Sequence, residues 1–370
     1  MAAAVILVSA SGVQGGAERA LAGLAGALPE HGVEALVVLL QEGPFEEWLR
    51  EAGQTTLVVP AGRLRQPHRY ASAVRRLAAI VRDARNPVVL SNMTKAHLYA
   101  GVAAMLCRAP SVLWQHMVPE RSAMELAAAA IPCRTGVCST EAAAQAQRSL
   151  TPRRPVHAIP PGTDVERVRS FAGSGRDIRR RCGWGAEPLV GIVGRLQPWK
   201  GQELFLEAAA AIVERIPSVR IVVVGGAILG WEGSYADDLR RLAARLGIAD
   251  HVSFVGHQDP VYPWFDALDV VVNASRGEPY GLVLVEAMAL GTPVVAPSDP
   301  GPRSIIENGR SGLLVPPRSA PAIADAVCRL LGEDALRKTI SSGAASRASE
   351  LSLDRTAARF ATLFHDLRGR

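Results

Sequence analysis

Residues 189–201 read LVGIVGRLQPWKG, an apolar run that gives way to a glycine, an arginine and, further on, a lysine. A short run rich in Val, Ile and Leu is typical of a strand buried on both faces of a sheet. The polar residues from Gly194 to Gly201 predict a loop at the carboxyl end of that strand. Ligands of open parallel sheets bind at this end. The stretch therefore predicts one unit of a parallel α/β sheet with a ligand-facing loop.

The same alternation of apolar run and helical stretch recurs along the chain in two series, which predicts an α/β fold with parallel sheets. An interval rich in Pro, Gly and Arg, Thr151–Pro188, separates the two series and is where we place the interdomain linker. The first series is Val5–Val8, Val33–Leu40, Thr55–Val59, Pro87–Leu90, Ser111–Trp114 and Thr135–Cys138; the second is Leu189–Val193, Val219–Val224, Val252–Val255, Val270–Asn273, Val294–Ala296 and Gly312–Val315.

A chain of 370 residues is long enough for two medium-sized cores. We predict an N-terminal domain over residues 1–165 and a C-terminal domain over residues 166–351. The Ala-, Leu- and Arg-rich sequence beyond Pro317 has helical spacing. Its last helix, about residues 352–370, is expected to pack back on the first domain.

The charge composition is mildly basic, with 41 Lys and Arg against 35 Asp and Glu. Such an excess favours phosphate-bearing ligands without requiring nucleic acid. Only three of the basic residues are lysines, at Lys95, Lys200 and Lys338, so each lysine is a candidate for a specific role. The Arg- and Ala-rich composition indicates a high-GC, actinobacterial-like bacterial source.

Location is predicted from cysteine usage and from the first residues. The five cysteines are scattered and lack the paired short spacings of zinc sites, as expected for a reduced cytoplasmic protein. Residues 1–10 lack the basic start of a signal peptide, and no apolar run approaches the roughly 20 residues that span a bilayer. Arginine clusters in the first half, such as Arg63, Arg65 and Arg69, are a solvated face or, alternatively, a peripheral contact with the inner membrane face.

The most informative motif is residues 276–290, RGEPYGLVLVEAMAL. Glu286 interrupts an otherwise apolar helix, and burying a carboxylate requires a cation or several hydrogen-bond donors. Glu278 precedes the same helix, so both carboxylates can face one cleft. Gly281 shapes the turn into the helix, whose first free amides suit an anion such as a diphosphate. The alternative is a buried Glu–Arg pair beside a Pro-Gly helix start.

Arg195 and Lys200 place two cations on the loop after the strand Leu189–Val193. Fixed cations at this position suit a pyrophosphate, and the alternative is a solvated basic loop. The Gly15-Gly16 pair follows the first strand and allows a ligand to approach the backbone, although such glycines are also common for steric reasons alone. His116 directly follows the strand Ser111–Trp114 and is either a cleft-facing group or a neutral core histidine.

Metal ligands and nucleotide-binding signatures of other classes are missing from the sequence. It contains no Asp-x-Asp pair, no His and carboxylate cluster at metal spacing, and neither a Walker loop nor a Gly-x-Gly-x-x-Gly fingerprint. We therefore expect protein cations, and no metal cofactor, to meet the phosphate charge.

The segments 194–201, 278–286 and 15–16 together resemble the retaining GT-B glycosyltransferases of the family 4 type, also called glycosyl transferases group 1. The resemblance covers essentially the whole chain. It implies two Rossmann-like parallel-sheet domains facing each other across a cleft, with the acceptor on the N-terminal domain and a nucleotide-sugar donor on the C-terminal domain.

The resemblance also implies roles for individual residues. Glu278 and Glu286 match a pattern of two glutamates with seven residues between them that contact the donor sugar and the ribose, respectively. Arg195 and Lys200 match the diphosphate pair, and His116 matches a histidine near the transferred sugar; with Glu278 they form the implied catalytic set. The implied donor-binding set is Gly15, Gly16, Gly194, His257, Tyr280, Gly281, Leu282, Val283 and Glu286.

The implied reaction moves a hexose-type group from a nucleoside-diphosphate sugar, UDP-sugar before GDP-sugar, to an acceptor hydroxyl with retention. The acceptor is a small molecule, a saccharide or a lipid-linked glycan. Two alternatives remain open from the sequence: a nucleotide-sugar epimerase or phosphorylase on the same fold, and a non-catalytic nucleotide-sugar-binding module.

Overall fold

The computed structural model describes residues 4–226 and 234–369. This part of the chain divides into two compact units. Unit 1 runs to Thr163 and resumes at Ser352, and unit 2 is Asp164–Leu351. Residues 1–3 and 370, at the outer ends of the predicted domains, lie outside the described residues.

Unit 1 is built on a parallel sheet of seven described strands, in which each strand is followed by a helix or a loop that returns to the start of the next. The strands are β1 (Val5–Ser9), β2 (Ala35–Leu39), β3 (Thr56–Val58), β4 (Val88–Asn92), β5 (Ser111–Gln115), β6 (Thr135–Cys138) and β7 (Val156–Ala158); the helices between them are α1 (Gly16–Ala27), α2 (Pro44–Glu51), α3 (Pro67–Asp83), α4 (Met93–Cys107), α5 (Ala123–Ala130) and α6 (Glu141–Leu150).

The strand order of unit 1 is β3-β2-β1-β4-β5-β6-β7. All neighbours are parallel; Val5 of β1, for example, pairs with Ala35 of β2 and with Val88 of β4. Every residue of β1 is buried, because helices cover both faces of the sheet. The order reverses between β1 and β4, so the loops that follow these two strands meet at one edge.

Unit 2 repeats this architecture with a parallel sheet of six described strands. After the helices α7 (Val165–Arg169) and α8 (Gly175–Arg181), its strands are β8 (Leu189–Val193), β9 (Arg220–Val224), β10 (Val252–Gly256), β11 (Val270–Val272), β12 (Val294–Pro297) and β13 (Leu313–Val315); its remaining helices are α9 (Gln202–Arg215), α10 (Tyr235–Arg245), α11 (Tyr262–Ala267), α12 (Leu282–Ala289), α13 (Pro300–Ile305), α14 (Ala320–Gly332) and α15 (Asp334–Glu350).

The strand order of unit 2 is β10-β9-β8-β11-β12-β13. The chain winds outward from β8 to β10, returns to β11 beside β8, and winds outward again on the other side. Two apolar clusters cover the two faces of the sheet, one containing Phe205 and Ile221 and the other containing Phe265 and Met288. The reversal between β8 and β11 brings their following loops together at the carboxyl edge.

The last helix, α16 (Leu353–Arg368), belongs to unit 1. Its buried Phe360 and Phe364 join the cluster under the sheet, and the Phe360 ring lies 4.8 Å from the Trp114 ring, centroid to centroid. Its first residue packs against α1, where a Cβ added at Gly23 would lie 3.3 Å from the Leu353 side chain.

The interval expected to be a linker contains ordered elements. Strand β7 and helices α7 and α8 all lie within Thr151–Pro188, and the division between the units falls between Thr163 and Asp164. Strand β7 is a short edge strand with only Val156 buried. Prolines on either side of it conceal its pattern, since Pro is tolerated at edges and ends of strands.

None of the helices within residues 4–226 and 234–369 is both long enough and apolar enough to cross a bilayer.

Candidate functional site

The loop after β8 holds Arg195 and Lys200 in a defined conformation. Its last residues, Pro198–Lys200, form a 3₁₀ turn that Gly201 ends with a left-handed φ of 76°. The Gln202 side chain at the start of α9 reaches back, and its Nε2 donates to the Arg195 carbonyl at 2.7 Å. Arg195 and Lys200 are each partly exposed, so both cations are presented at the carboxyl edge of the unit 2 sheet.

The loops after β8 and β11 are in direct contact. The Arg276 amide donates to the Trp199 carbonyl at 2.7 Å. A Cβ added at Gly201 would lie 2.0 Å from the Ala274 carbonyl oxygen, so only glycine allows the backbones to approach this closely. This contact fixes the position of the β8 loop relative to the β11 loop.

Lys200 and Glu278 form a largely buried ion pair across this contact. Lys200 Nζ donates to Glu278 Oε2 at 2.8 Å, and the Glu278 side chain is only 6% exposed. Two neutral donors reach the same oxygen: Ser275 Oγ at 2.8 Å and Asn273 Nδ2 at 3.1 Å. The Lys200 ammonium also lies 4.1 Å from the centroid of the Trp199 ring. The carboxylate therefore meets the charge and hydrogen bonds that its burial requires.

Burial alone would raise the pKa of the Glu278 carboxyl, but its surroundings outweigh burial. The Lys200 ammonium lowers the pKa first, and the hydrogen bonds from Ser275 and Asn273 lower it further. The pKa of Glu278 is therefore below the ordinary value of a glutamate. Glu278 is accordingly a carboxylate, and an acceptor of hydrogen bonds, at neutral pH.

The backbone around Glu278 is packed against the start of α13. A Cβ added at Gly301 would lie 2.2 Å from the Glu278 carbonyl oxygen, and Asp299 accepts a hydrogen bond from the Gly277 amide at 3.1 Å. The loop that carries Glu278 is thus held from the β8 side and from the β12 side.

Helix α12 begins at the same edge and carries the second glutamate. Gly281, with a left-handed φ of 108°, precedes Leu282, and the first turn of the helix has no side-chain cap. Glu286 is 4% exposed on this helix. Tyr280 is also buried, and burial raises the pKa of its phenol. Free amides at the helix start and a buried carboxylate one turn further on suit a ligand with both an anion and hydroxyl groups.

The remaining unit 2 residues of the predicted site line the same edge. Gly194 directly follows β8, while Leu282 and Val283 in the first turn of α12 are half-buried. His257 follows β10 and is exposed, and a Cβ added at Gly226 after β9 would lie 3.2 Å from its Cβ. Unit 2 thus places every residue predicted for its part of the site in the segments that follow β8, β10 and β11.

Gly15 and Gly16 lie where unit 1 reverses its strand order, at the start of α1: Gly15 precedes the helix and Gly16 is its first residue. A Cβ at Gly16 would meet nothing within 4 Å, while one at Gly15 would lie 2.8 Å from the Glu18 carboxylate. Open space in front of Gly16 is compatible with the close approach of a ligand. The role of these glycines stays a prediction.

His116 is buried at the carboxyl end of β5, and both of its ring nitrogens are engaged. Nε2 lies 2.8 Å from Asn92 Oδ1, and Nδ1 lies 3.2 Å from Ser139 Oγ. Because Asn92 Nδ2 donates to the Ala17 carbonyl, its Oδ1 must accept, which puts the histidine proton on Nε2. Burial lowers the pKa of His116 to about 3, so the ring is neutral. A catalytic role for His116 stays a prediction.

The structure adds polar residues that the sequence analysis did not select. Asn273 and Ser275 contact Glu278 in unit 2. In unit 1, Glu125 accepts hydrogen bonds from Thr94 Oγ1 at 2.7 Å and from Gln115 Nε2 at 3.1 Å. The available signal is the position of Asn273 and Gln115 at the carboxyl ends of apolar runs. Within residues 4–226 and 234–369, no three or more His, Cys, Asp and Glu side chains are grouped to hold a metal ion.

Two parallel-sheet units of this Rossmann-like kind are the architecture of the GT-B class of fold. Matches of the sequence to models of known protein families then specify the family. Residues 14–167 match the Glycosyltransferase Family 4 model, and residues 187–333 match the Glycosyl transferases group 1 model. The chain belongs to this glycosyltransferase family, with one matched domain in each half.

Several known proteins are similar to this chain. A D-inositol 3-phosphate glycosyltransferase of Streptomyces bingchenggensis is 34% identical over 58% of this chain and 48% of its own length. A GDP-mannose-dependent alpha-(1-6)-phosphatidylinositol monomannoside mannosyltransferase of Mycobacterium tuberculosis is 33% identical over 53% of this chain and 51% of its own length. The matched part is about half the length of these curated relatives.

A solved structure is similar over nearly the whole chain. The Anabaena protein Alr3699/HepE, crystallised with UDP and glucose, superimposes with a TM-score of 0.86 and 25% identity, covering 98% of this chain and 99% of its own.

Proposed function

We propose that this chain is a retaining glycosyltransferase that moves a hexose-type group from a nucleoside-diphosphate sugar to an acceptor hydroxyl. The observation that carries the proposal is the Lys200–Glu278 pair, 2.8 Å apart where the loops after β8 and β11 meet. It supplies a cation for a diphosphate and a carboxylate for sugar hydroxyls side by side. Membership of the glycosyltransferase family supports the same activity.

The diphosphate is proposed to lie against Arg195, Lys200 and the first amides of α12. These groups stabilise the negative charge that develops on the leaving diphosphate. Glu286 accepts hydrogen bonds from the ribose, and Glu278 accepts them from the transferred sugar. Since cations and amides are provided by the protein, we propose that the reaction requires no metal ion.

Retention is proposed to follow a front-face route in which the leaving phosphate helps to deprotonate the acceptor. The positioning of donor and acceptor then contributes most of the rate. His116 has both ring nitrogens engaged and a pKa of about 3, which supports a hydrogen-bonding role over proton transfer at neutral pH.

The comparisons support candidates for the two substrates. UDP is present in the Anabaena structure and GDP-mannose is named for the mycobacterial relative, so UDP-sugars come first and GDP-sugars next. The names of the curated relatives favour an acceptor with an inositol hydroxyl, free or lipid-linked. We propose a cytoplasmic location, and the exposed Arg63, Arg65 and Arg69 support peripheral contact with the inner membrane face.

A thermal-shift screen of the purified protein with EDTA tests the proposal. The screen compares UDP, GDP, ADP and dTDP, and the common sugar nucleotides of each, at equal concentration. A ligand at 100 times its Kd stabilises the folded state by about 2.7 kcal/mol, which raises the melting temperature measurably. We expect one base to give a clear shift. No shift with any nucleotide, while the protein is folded, would contradict the donor site.

A further inference from the structure

Three hydrogen-bond donors converge on one oxygen of Glu278. Lys200 Nζ, Ser275 Oγ and Asn273 Nδ2 all donate to Oε2, at 2.8, 2.8 and 3.1 Å. The other oxygen, Oε1, accepts no hydrogen bond from the described residues. It is not fully buried, so a ligand can reach it. The two oxygens of this carboxylate are therefore different: one is occupied and one is open.

Asn273 and Ser275 form a rigid bracket around the occupied oxygen. Asn273 Oδ1 accepts from the Ser275 amide at 2.9 Å, while its Nδ2 donates to Glu278. The two side chains are 4% and 5% exposed. Asn273 directly follows β11 and Ser275 comes two residues later, so the end of a central strand positions the backbone of this segment. A bracket built on a strand end holds a geometry more precisely than one on a free loop.

The bracket is important because the Lys200 ammonium has two interactions to make, one with Glu278 and one with the diphosphate. In the proposed function the ammonium also stabilises the leaving diphosphate, which would draw it away from Glu278. Asn273 Nδ2 and Ser275 Oγ are neutral and are not attracted to the diphosphate. Their hydrogen bonds to Oε2 therefore persist when the ammonium moves, and they keep the carboxylate ionised and oriented. A buried carboxylate left without donors would be costly and would take up a proton.

We infer that Asn273 and Ser275 are positioning residues that hold Oε2 of Glu278 and leave Oε1 to accept a hydrogen bond from a hydroxyl of the donor sugar. The inference rests on the proposed function, since it assigns the sugar to Oε1. Neither residue contacts the nucleotide in this assignment. Their loss is therefore expected to change the recognition of the sugar and not that of the nucleoside diphosphate.

The test uses calorimetric titration to compare the Kd of a nucleoside diphosphate with the Kd of the corresponding sugar nucleotide. The pairs are UDP with UDP-glucose and GDP with GDP-mannose. In Ser275→Ala we expect the Kd of the sugar nucleotide to rise about fivefold to tenfold relative to that of the nucleotide, because Glu278 loses one of the hydrogen bonds that orient it and the effect on binding is about that of one ordinary net hydrogen bond. Ser275→Thr keeps the hydroxyl and should restore the ratio. Ser311→Ala, another buried serine in unit 2 that lies in a separate loop, is the matched control.

Asn273→Asp provides a second variant. It keeps the Oδ1 acceptor for the Ser275 amide but replaces the donor with a second carboxylate, so we expect a larger loss that is partly reversed at lower pH. An unchanged ratio in both Ser275→Ala and Asn273→Asp would overturn the inference while leaving the proposed function intact. An equal rise in both Kd values would also overturn it, since that is the effect of a damaged site. If the wild type binds no nucleotide at all, the proposed function fails, and this inference fails with it.

Discussion

The Lys200 ammonium and the Glu278 carboxylate lie 2.8 Å apart although the two residues are 78 positions apart in the chain. They meet because β8 and β11 are neighbours at the point where the strand order of unit 2 reverses. The reversal leaves a gap above the sheet in which two loops approach each other without an intervening helix. The fold thus places a cation and a carboxylate side by side.

Replacement of Lys200 tests its part in diphosphate binding. We expect Lys200→Ala to weaken nucleoside diphosphate binding about 10- to 100-fold, the equivalent of one hydrogen bond between charged groups. The fold should survive, because Asn273 and Ser275 still donate to Glu278. The exposed Lys338 on α15 is the matched control, and Lys338→Ala should bind normally. Calorimetric titration measures both, and equal affinities in the two variants would argue against the assignment of Lys200.

Glu286 is predicted to recognise the ribose and not the sugar. Glu286→Gln keeps the size of the side chain but removes its charge, so we expect about tenfold weaker binding of the nucleoside diphosphate even without a sugar. The exposed Glu214 on α9 supplies the control variant, Glu214→Gln. Competition with a fluorescent nucleotide measures the affinities. A variant that loses stability but keeps its affinity would instead indicate a purely structural carboxylate.

Gly201 is predicted to be essential for the contact between the two loops. Gly201→Ala would place a Cβ 2.0 Å from the Ala274 carbonyl oxygen, in addition to the strain of a φ of 76°. Gly309 has a φ of 77° with nothing within 4 Å, so Gly309→Ala isolates the strain, about 1–2 kcal/mol. We expect nucleotide binding to be lost only in Gly201→Ala. Comparable binding by both variants would mean that the loop contact does not matter.

Buried histidines should make unit 1 sensitive to acid. Burial, and secondarily the nearby Arg154, lower the pKa of His97 to about 4. The unfolded chain, with a pKa near 6.5, takes up the proton first as the pH falls. The stabilising contribution is complete above pH 6.5 and is lost toward pH 4, at up to about 1.4 kcal/mol per pH unit.

Urea unfolding at pH 7.5, 6.0 and 5.0 measures this contribution. The free energy of unfolding of His97→Gln should fall less steeply with decreasing pH than that of the wild type. His157→Gln, at an exposed histidine of the same unit, should keep the slope of the wild type. Parallel curves for all three proteins would show that His97 does not titrate differently in the folded state.

Much of the fold was predictable because the strands are buried on both faces. Runs such as Leu189–Val193 and Val294–Ala296 are apolar at every position, and the structure confirms that both are strands. Strand β7 escaped prediction for the opposite reason, since an edge strand with an exposed His157 between prolines has no apolar run. The linker was placed over this strand for the same reason.

The site was only partly predictable. Lys200 was conspicuous among arginines, and Glu286 was conspicuous in an apolar helix, so local contrast was enough to select them. Asn273 and Ser275 lack such contrast, and the apolar run predicts Asn273 as the last residue of a strand. Their importance arises from a hydrogen bond made across a turn, and periodicity carries no information about such a bond. The same holds for Glu125, whose partners Thr94 and Gln115 come from two other elements.

The most direct test of the account follows the fate of the donor by NMR. The purified protein, with EDTA, is incubated with the α-linked sugar nucleotide selected by the thermal-shift screen and with myo-inositol or D-inositol 3-phosphate as acceptor. The account predicts release of the free nucleoside diphosphate and an α-linked product, in the wild type and not in Lys200→Ala. An isomerised sugar still attached to its nucleotide, or a β-linked product, would contradict it.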